Sequence, residues 1–161
     1  MTSWMPLARA KLGVREVPGP GNSPVIMRWA SALGSKVLGI AYGADSVPWC
    51  GLFVAQVVVE AGFKPPPISV RAKAWASWGT PVTPREGAVL VFEREGGGHV
   101  GFYAAENDTA YQVLGGNQGD AVSLAWIAKS RCVAVRWPPG VAVTGVPIRV
   151  ADKGRLSVNE A

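Results

Sequence analysis

Three side chains of this 161-residue chain have the types and the order of a nucleophile, its base and an orienting group. Cys50 stands in "VPWCGLFV", just after a Pro-Trp pair and just before an apolar run. If Pro48 is the first helical residue, Cys50 lies in the first turn. There the unpaired backbone N–H groups and the positive end of the helix dipole favour a thiolate. The competing reading is a small buried hydrophobe, which is how most free cysteines behave. His99 opens "HVGFYAAE" directly after Gly96, Gly97 and Gly98, and it is the sole histidine. A thiol needs a base to become a nucleophile, and imidazole is the usual one. Alone, His99 reads equally as a surface histidine at a strand end. A Cys–His pair commonly carries a further polar group that orients the imidazole. Hairpin arithmetic offers Asn117, in "LGGNQGD". A loop over 107–109 sets His99 opposite Asn117; a loop one residue shorter sets it opposite Gly116, one step away. A side-chain amide there can fix the imidazole tautomer. The plain alternative is a turn asparagine after two glycines.

Those residues need elements to hold them. Residues 3–12 read as a short amphipathic helix, with Trp4, Leu7, Ala8 and Leu12 on one side. "VPGPGNSP" breaks it, and 24–33 read as a second helix that starts at Pro24 and stops at Gly34. Residues 35–46 are loop-like. The strongest helix spans 48–61, with Ser46 or Asp45 as cap, Pro48 in its first turn and Gly62 at its end. Phe53, Val54, Val57, Val58 and Ala61 give it a wide apolar face. After "KPPP", residues 69–78 read as a fourth short helix. Strands follow at 88–92, 99–106, 109–116, 121–127 and 131–137, which suits an antiparallel sheet. Helices first and strands second is the signature of an α+β domain. That domain covers 1–138; residues 139–161 form a C-terminal extension that reads as a small β-hairpin.

Composition bounds what this chemistry serves. Apolar residues make up 48% of the chain and seven residues are Trp, enough for one domain with a real core. The net charge of +5 favours an anionic partner. The basic residues are scattered, so nucleic acid is not the expected one. Two cysteines do not make a disulfide framework, and Cys132, in "RCVAVRW", reads as structural. One histidine and no C-x-x-C pair leave no basis for a metal site, and no cofactor is expected. The N-terminus lacks the apolar core of a signal peptide, and no stretch reaches the ~20 apolar residues of a membrane span. The expectation is a protein held in the cytoplasm of the producing cell until something releases or carries it.

Cys, then His, then Asn is the papain-like order. "VPWCGLFV", "GHVGFY" and "LGGNQGDAVSLAWI" resemble the CHAP (cysteine, histidine-dependent amidohydrolase/peptidase) domains, and more closely the small phage-type cell-wall hydrolases of the wider NlpC-like group. "LGVREVPGPGNSP" and "RAKAWASWG" are similar to that group too, so the resemblance runs over residues 4–138. It implies a papain-like CHAP/NlpC-type α+β fold, with N-terminal helices packed on a C-terminal antiparallel sheet. It implies a peptidoglycan hydrolase in which Cys50 attacks an amide carbonyl. His99 would take the thiol proton, or pair with the thiolate, and later protonate the leaving amine; Asn117 would hold His99. The backbone N–H of Cys50 is the natural oxyanion donor. Many relatives carry a carboxylate as the third group, which leaves Asp120 or Glu106 open as assistants.

Other residues are weighed against plainer roles. Glu16 and Asn22 match the family pattern around the "VPGPGN" loop, or are a loop acid and a turn asparagine. Asp45 shapes the cleft or caps the helix, and Trp49 walls one side of a groove. Trp75 and Trp78, three apart, present rings to sugars or pack into the core. The resemblance leaves two bonds open, one in the stem peptide (an endopeptidase) and one at the sugar–peptide link (an N-acetylmuramoyl-L-alanine amidase). It implies a monomer acting on peptidoglycan, either a phage endolysin released by a holin or a lysin carried in the virion. The alternatives are a non-enzymatic wall-binding or phage structural module and a thiol acyltransferase. In the acyltransferase branch the histidine precedes the cysteine, unlike the order here.

Overall fold

The computed structural model describes residues 3–18, 21–44, 48–151 and 154–157. Four helices come first: α1 (Met5–Arg9), α2 (Pro24–Leu33), α3 (Ser35–Leu38) and α4 (Cys50–Glu60). Six strands follow: β1 (Thr80–Pro81), β2 (Val89–Arg94), β3 (Gly97–Glu106), β4 (Ala110–Gly115), β5 (Ser123–Ala128) and β6 (Cys132–Trp137). The strands form one antiparallel sheet in the order β1-β6-β2-β3-β4-β5. This is the expected α+β papain-like arrangement.

Local chemistry explains where the helices start and stop. Ser23 accepts a hydrogen bond from the Ile26 N–H and Pro24 supplies the first helical φ, so α2 begins there. The stretch expected to be loop contains the one-turn α3, closed by Gly39 at φ 85°. α4 begins at Cys50 rather than Pro48, with Trp49 at the cap position. The expected caps Asp45 and Ser46 lie outside the described residues. Most of α4 is buried, from Cys50 to Ala55 and at Val57 and Val58, so it behaves as a core helix rather than an amphipathic surface one. It packs across β3, where the Phe53 and Phe102 rings meet edge to face at 6.0 Å. Gly51 permits a second close approach. A Cβ there would lie 2.2 Å from the Ser69 carbonyl oxygen and 2.6 Å from that of Val70.

The expected fourth helix is a 3-10 turn at Ala72–Ser77. Two indoles tighten it: Trp75 Nε1 donates to the Ser69 carbonyl at 3.0 Å and Trp78 Nε1 to that of Lys64 at 2.8 Å. Trp75 and Trp78 also meet edge to face at 5.0 Å. Trp4 fills the space between α1 and the sheet, 5.0 Å from the Trp137 ring, and gives its N–H to the Gly87 carbonyl at 2.8 Å. Large rings with satisfied N–H groups therefore lock the helical layer to the sheet.

The C-terminal extension departs from the expected hairpin. Among the described residues its bridges run to the domain: Arg149 pairs with Glu106 and Leu156 with Trp126, both parallel. Glu106 explains the attachment. Its buried carboxylate accepts from Tyr103 Oη at 2.7 Å, from Lys129 and from Arg149, while its backbone bonds Ile148 and Val150. Burial pushes the Glu106 carboxyl up, but the Lys129 and Tyr103 hydrogen bonds and the two nearby cations outweigh it and hold it below the usual range.

Gly51→Ala tests the seating of α4. In an exposed helix this change gains up to about 1 kcal/mol. Here the added methyl meets two carbonyl oxygens, and we expect a loss of about 3 kcal/mol in urea unfolding. A variant as stable as wild type would contradict the close approach.

Candidate active site

Cys50 is the first residue of α4 and only 6% exposed. The sulfur lies against the β3 backbone at Val100, the residue after His99. Burial pushes the thiol pKa up; the N–H groups of Val100, Gly51 and Cys50 itself, and the charge of Arg94, pull it down but do not prevail. The helix start does favour a thiolate, as its position suggests, yet desolvation outweighs it. A thiol held above its ordinary range needs a base to become a nucleophile.

His99 is buried on β3, paired with Phe92 in the neighbouring strand and stacked near its ring at 6.4 Å. Its Nε2 lies 2.8 Å from Gln118 Oε1. The direction of that bond follows from the rest of the Gln118 amide. Gln118 Nε2 donates to the Val113 carbonyl at 3.1 Å and to the Ser123 carbonyl at 2.7 Å. Both acceptors lack hydrogens, so the amide cannot be flipped, and Oε1 can only accept. His99 therefore carries its proton on Nε2, and Nδ1 is the basic nitrogen of the neutral ring.

The expected orienting residue was Asn117; the residue bonded to the imidazole is its neighbour, Gln118. Two departures from regular pairing account for this. The β3–β4 register runs Glu106↔Tyr111 and Ala105↔Gln112, then shifts to Tyr103↔Val113 and Phe102↔Leu114. Carried on, that register sets His99 opposite position 117, but β4 ends at Gly115. Asn117 adopts a left-handed conformation, φ 59°, which turns the chain so that the next side chain reaches the imidazole. The Gln118 backbone is held in turn by the Ala121 carbonyl at 3.0 Å and by Ser123 Oγ at 2.8 Å.

The two glycines before Asn117 carry the signal that points to Gln118. A Cβ at Gly115 would lie 2.5 Å from Gln118 Oε1 and 3.3 Å from His99 Nε2. A Cβ at Gly116 would lie 2.9 Å from the Trp49 ring and 2.7 Å from Phe53 Cβ. One glycine makes room for the His99–Gln118 bond and the other for the anchor of α4. "GGNQ" is thus a packing motif whose last residue bonds the imidazole.

The remaining candidates take supporting positions. Trp49 is fully buried, which corrects its assignment as a groove wall: its ring packs near Trp29 at 6.5 Å and against Gly116. Glu16 accepts the Trp49 indole N–H at 2.7 Å and so holds the residue before Cys50. Residues 13–16 are stitched to 120–122 by backbone bonds, including Glu16 N–H to the Asp120 carbonyl at 2.9 Å. The "LGVRE" segment thereby braces the Gln118 loop and α4 together. Asn22 is exposed, just before the Ser23 cap. Asp45 lies outside the described residues. Trp75 and Trp78 are in the core, the second of the two roles expected for them; their faces are used by each other and the sheet. Glu106 is committed to the tail, and Asp120 is an exposed left-handed turn residue. Cys132 sits half-buried on β6, its Sγ 3.4 Å from the Ala134 carbonyl oxygen, and both cysteines are free thiols.

Among the described residues, no group of three or more His, Cys, Asp or Glu is placed to hold a metal ion. None of their helices is long and apolar enough to cross a membrane.

Comparison with curated proteins and with solved structures returns no match. A family model does match, that of the CHAP domain, over residues 42–117. This span runs from the loop before α4 to Asn117, so it takes in Cys50 and His99 and stops one residue short of Gln118. This match and the α+β fold built around those two residues are consistent with a CHAP/NlpC-like domain.

Proposed function

We propose that this protein is a cysteine peptidoglycan hydrolase that cuts an amide bond of the bacterial cell wall. CHAP domains are hydrolases of the amidase and peptidase type that act on peptidoglycan, which supports the general activity. The observation that carries the mechanism is the His99–Gln118 hydrogen bond, because it leaves Nδ1 as the base. In this reading Nδ1 takes the Cys50 proton as sulfur attacks the amide carbonyl carbon. The carbonyl π electrons move to oxygen, and the Cys50 backbone N–H at the helix start donates a hydrogen bond to that oxyanion. Gln118 Oε1 holds the imidazolium through its Nε2–H. Collapse breaks the C–N bond, and the amine leaves with the proton from Nδ1. Water, deprotonated by Nδ1, then attacks the thioester and releases a carboxylic acid and the thiol.

The net charge of +5 supports an anionic polymer as substrate, since long-range attraction raises the encounter rate. The finer placement, as a phage endolysin or a lysin carried in the virion, rests on the resemblance of the "PWC", "GHVG" and "GGNQ" motifs.

Purified protein is expected to lower the turbidity of permeabilised Gram-negative cells, and Cys50→Ala and His99→Ala to reduce the rate by at least about 1,000-fold. Lysis by Cys50→Ala at the wild-type rate would falsify the mechanism; binding without cleavage by wild type would indicate a wall-binding module instead. Mass spectrometry of the released muropeptides separates endopeptidase from amidase.

Gln118→Ala should lower kcat by about 100-fold, with KM little changed. Equal rates for wild type and Gln118→Ala would remove Gln118 from the mechanism. The raised thiol pKa adds a pH signature. In a Cys132→Ser background, iodoacetamide should label Cys50 more slowly at pH 7 than it labels free cysteine, and the rate should still climb above pH 9. A labelling rate already level at pH 7 would show a resting thiolate.

A further inference from the structure

The end of β4 leaves one edge of β3 bare beside the thiol. Tyr103 bonds toward β2: its N–H donates to the Ala88 carbonyl at 2.8 Å and its carbonyl accepts from the Gly87 N–H at 3.0 Å. The β2–β3 register is unbroken from Val89↔Phe102 to Arg94↔Gly97. Backbone groups alternate in direction along a strand, so those of Gly97, His99 and Gly101 also face β2. Those of Gly98, Val100 and Phe102 face the other way, toward β4. Yet β4 pairs Leu114 with Phe102 and ends at Gly115, so among the described residues no strand covers Gly98 and Val100 on that side.

Two side chains use that bare edge instead. The Cys50 sulfur lies against the Val100 N–H, and Arg94 Nε donates to the Gly98 carbonyl at 3.2 Å. Those two backbone positions are about 7 Å apart along the strand. Arg94 is only partly buried, and the charge of its guanidinium reaches the thiol. Gly97 and Gly98 put no side chain beside it; a Cβ at Gly97 would lie 3.9 Å from Arg94 Nη2. Among the described residues, no carboxylate pairs with Arg94, and its Nη1 and Nη2 donate to no protein group. Glu93, next in sequence, is instead 3.9 Å from Lys73. The guanidinium is therefore held by one nitrogen, with its fork left open beside the nucleophile. Such a fork matches a carboxylate through two parallel hydrogen bonds.

We propose that Arg94 is a specificity residue whose Nη1 and Nη2 bind a free carboxylate of the substrate, within about two residues of the amide that Cys50 attacks. The inference rests on the hydrolase reading above and narrows its substrate to an acidic peptide. This role differs from the long-range attraction of the net charge, which any surface cation shares. It differs also from an effect of Arg94 on the thiol, which would be the same for every substrate.

The test compares wild type, Arg94→Ala, Arg94→Lys and Lys73→Ala on soluble peptidoglycan fragments in two forms. One form is native; in the other, carbodiimide and ammonia have converted the carboxylates to carboxamides. The readout is the ratio of kcat/KM for the native form to that for the amidated form. That ratio depends neither on the folded fraction nor on the thiol pKa. Wild type should favour the native form about 10- to 100-fold, as expected of a charge-assisted hydrogen bond. Arg94→Ala should lose that preference, mainly through a higher KM for the native form. Arg94→Lys keeps the charge without the fork and should show a preference between the two; it carries the test where Arg94→Ala fails to fold. Lys73→Ala removes an equal charge nearby and should keep the full preference. A wild-type ratio in Arg94→Ala overturns the proposal, because any loss is then shared by both forms and Arg94 serves the fold or the thiol. Loss of preference in Lys73→Ala also overturns it, since the effect is then one of net charge. If wild type cleaves neither form, the hydrolase reading fails and this one with it; if wild type cleaves both equally well, only this one fails.

Discussion

The candidate site depends on the direction of one hydrogen bond. His99 Nε2 and Gln118 Oε1 are 2.8 Å apart, and the glutamine has no freedom to reverse because its N–H groups are taken by the Val113 and Ser123 carbonyls. The sheet therefore dictates the tautomer. β4 supplies one carbonyl and the first residue of β5 the other, so the tautomer is set by strand pairing and not by a mobile side chain. Much of the surrounding structure serves that arrangement. Gly115 leaves space for it, Gly116 lets Trp49 and Phe53 close on it, and residues 13–16 brace the far side of the loop.

The Cys50 thiol is subject to a balance of opposing effects. The N–H groups at the start of α4 and along β3 stabilise negative charge on Cys50, but burial costs more. A raised thiol pKa makes the sulfur less prone to oxidation and stray alkylation. The helix behind it is anchored on nearly every side, by Phe53 against Phe102 and by Gly51 against the carbonyls of residues 69 and 70. Indoles add rigidity where their N–H groups reach a fixed acceptor, most directly Trp49 to Glu16 next to the cysteine. Residues that looked like substrate contacts, Trp49, Trp75 and Trp78, are part of this frame.

The features legible from sequence are those with local causes. α2 and α4 show in apolar spacing bounded by Pro and Gly, and the strands show as apolar runs between turns. Cys50 and His99 stand out through rare residue types beside helix-start and glycine signals. Gln118 was not legible. The end of β4 at Gly115 and the left-handed Asn117 bring the next side chain to the imidazole, and neither leaves a mark in spacing. The tail was misread for a related reason. Its residues look self-sufficient as a hairpin, but a buried carboxylate on β3 holds them; Glu106 meets Arg149 across 43 residues of chain. Side-chain contacts at long range carry no period.

Because His99 is the sole histidine, its tautomer can be read without ambiguity. The most direct measurement is the nitrogen NMR spectrum of protein labelled at histidine, recorded at a pH where the ring is neutral. The account predicts one proton-bearing nitrogen, assigned to Nε2, with Nδ1 unprotonated, and mixed tautomers in Gln118→Ala. A wild-type ring protonated on Nδ1 would contradict it, since Nε2, the nitrogen beside Gln118 Oε1, would then be the unprotonated one.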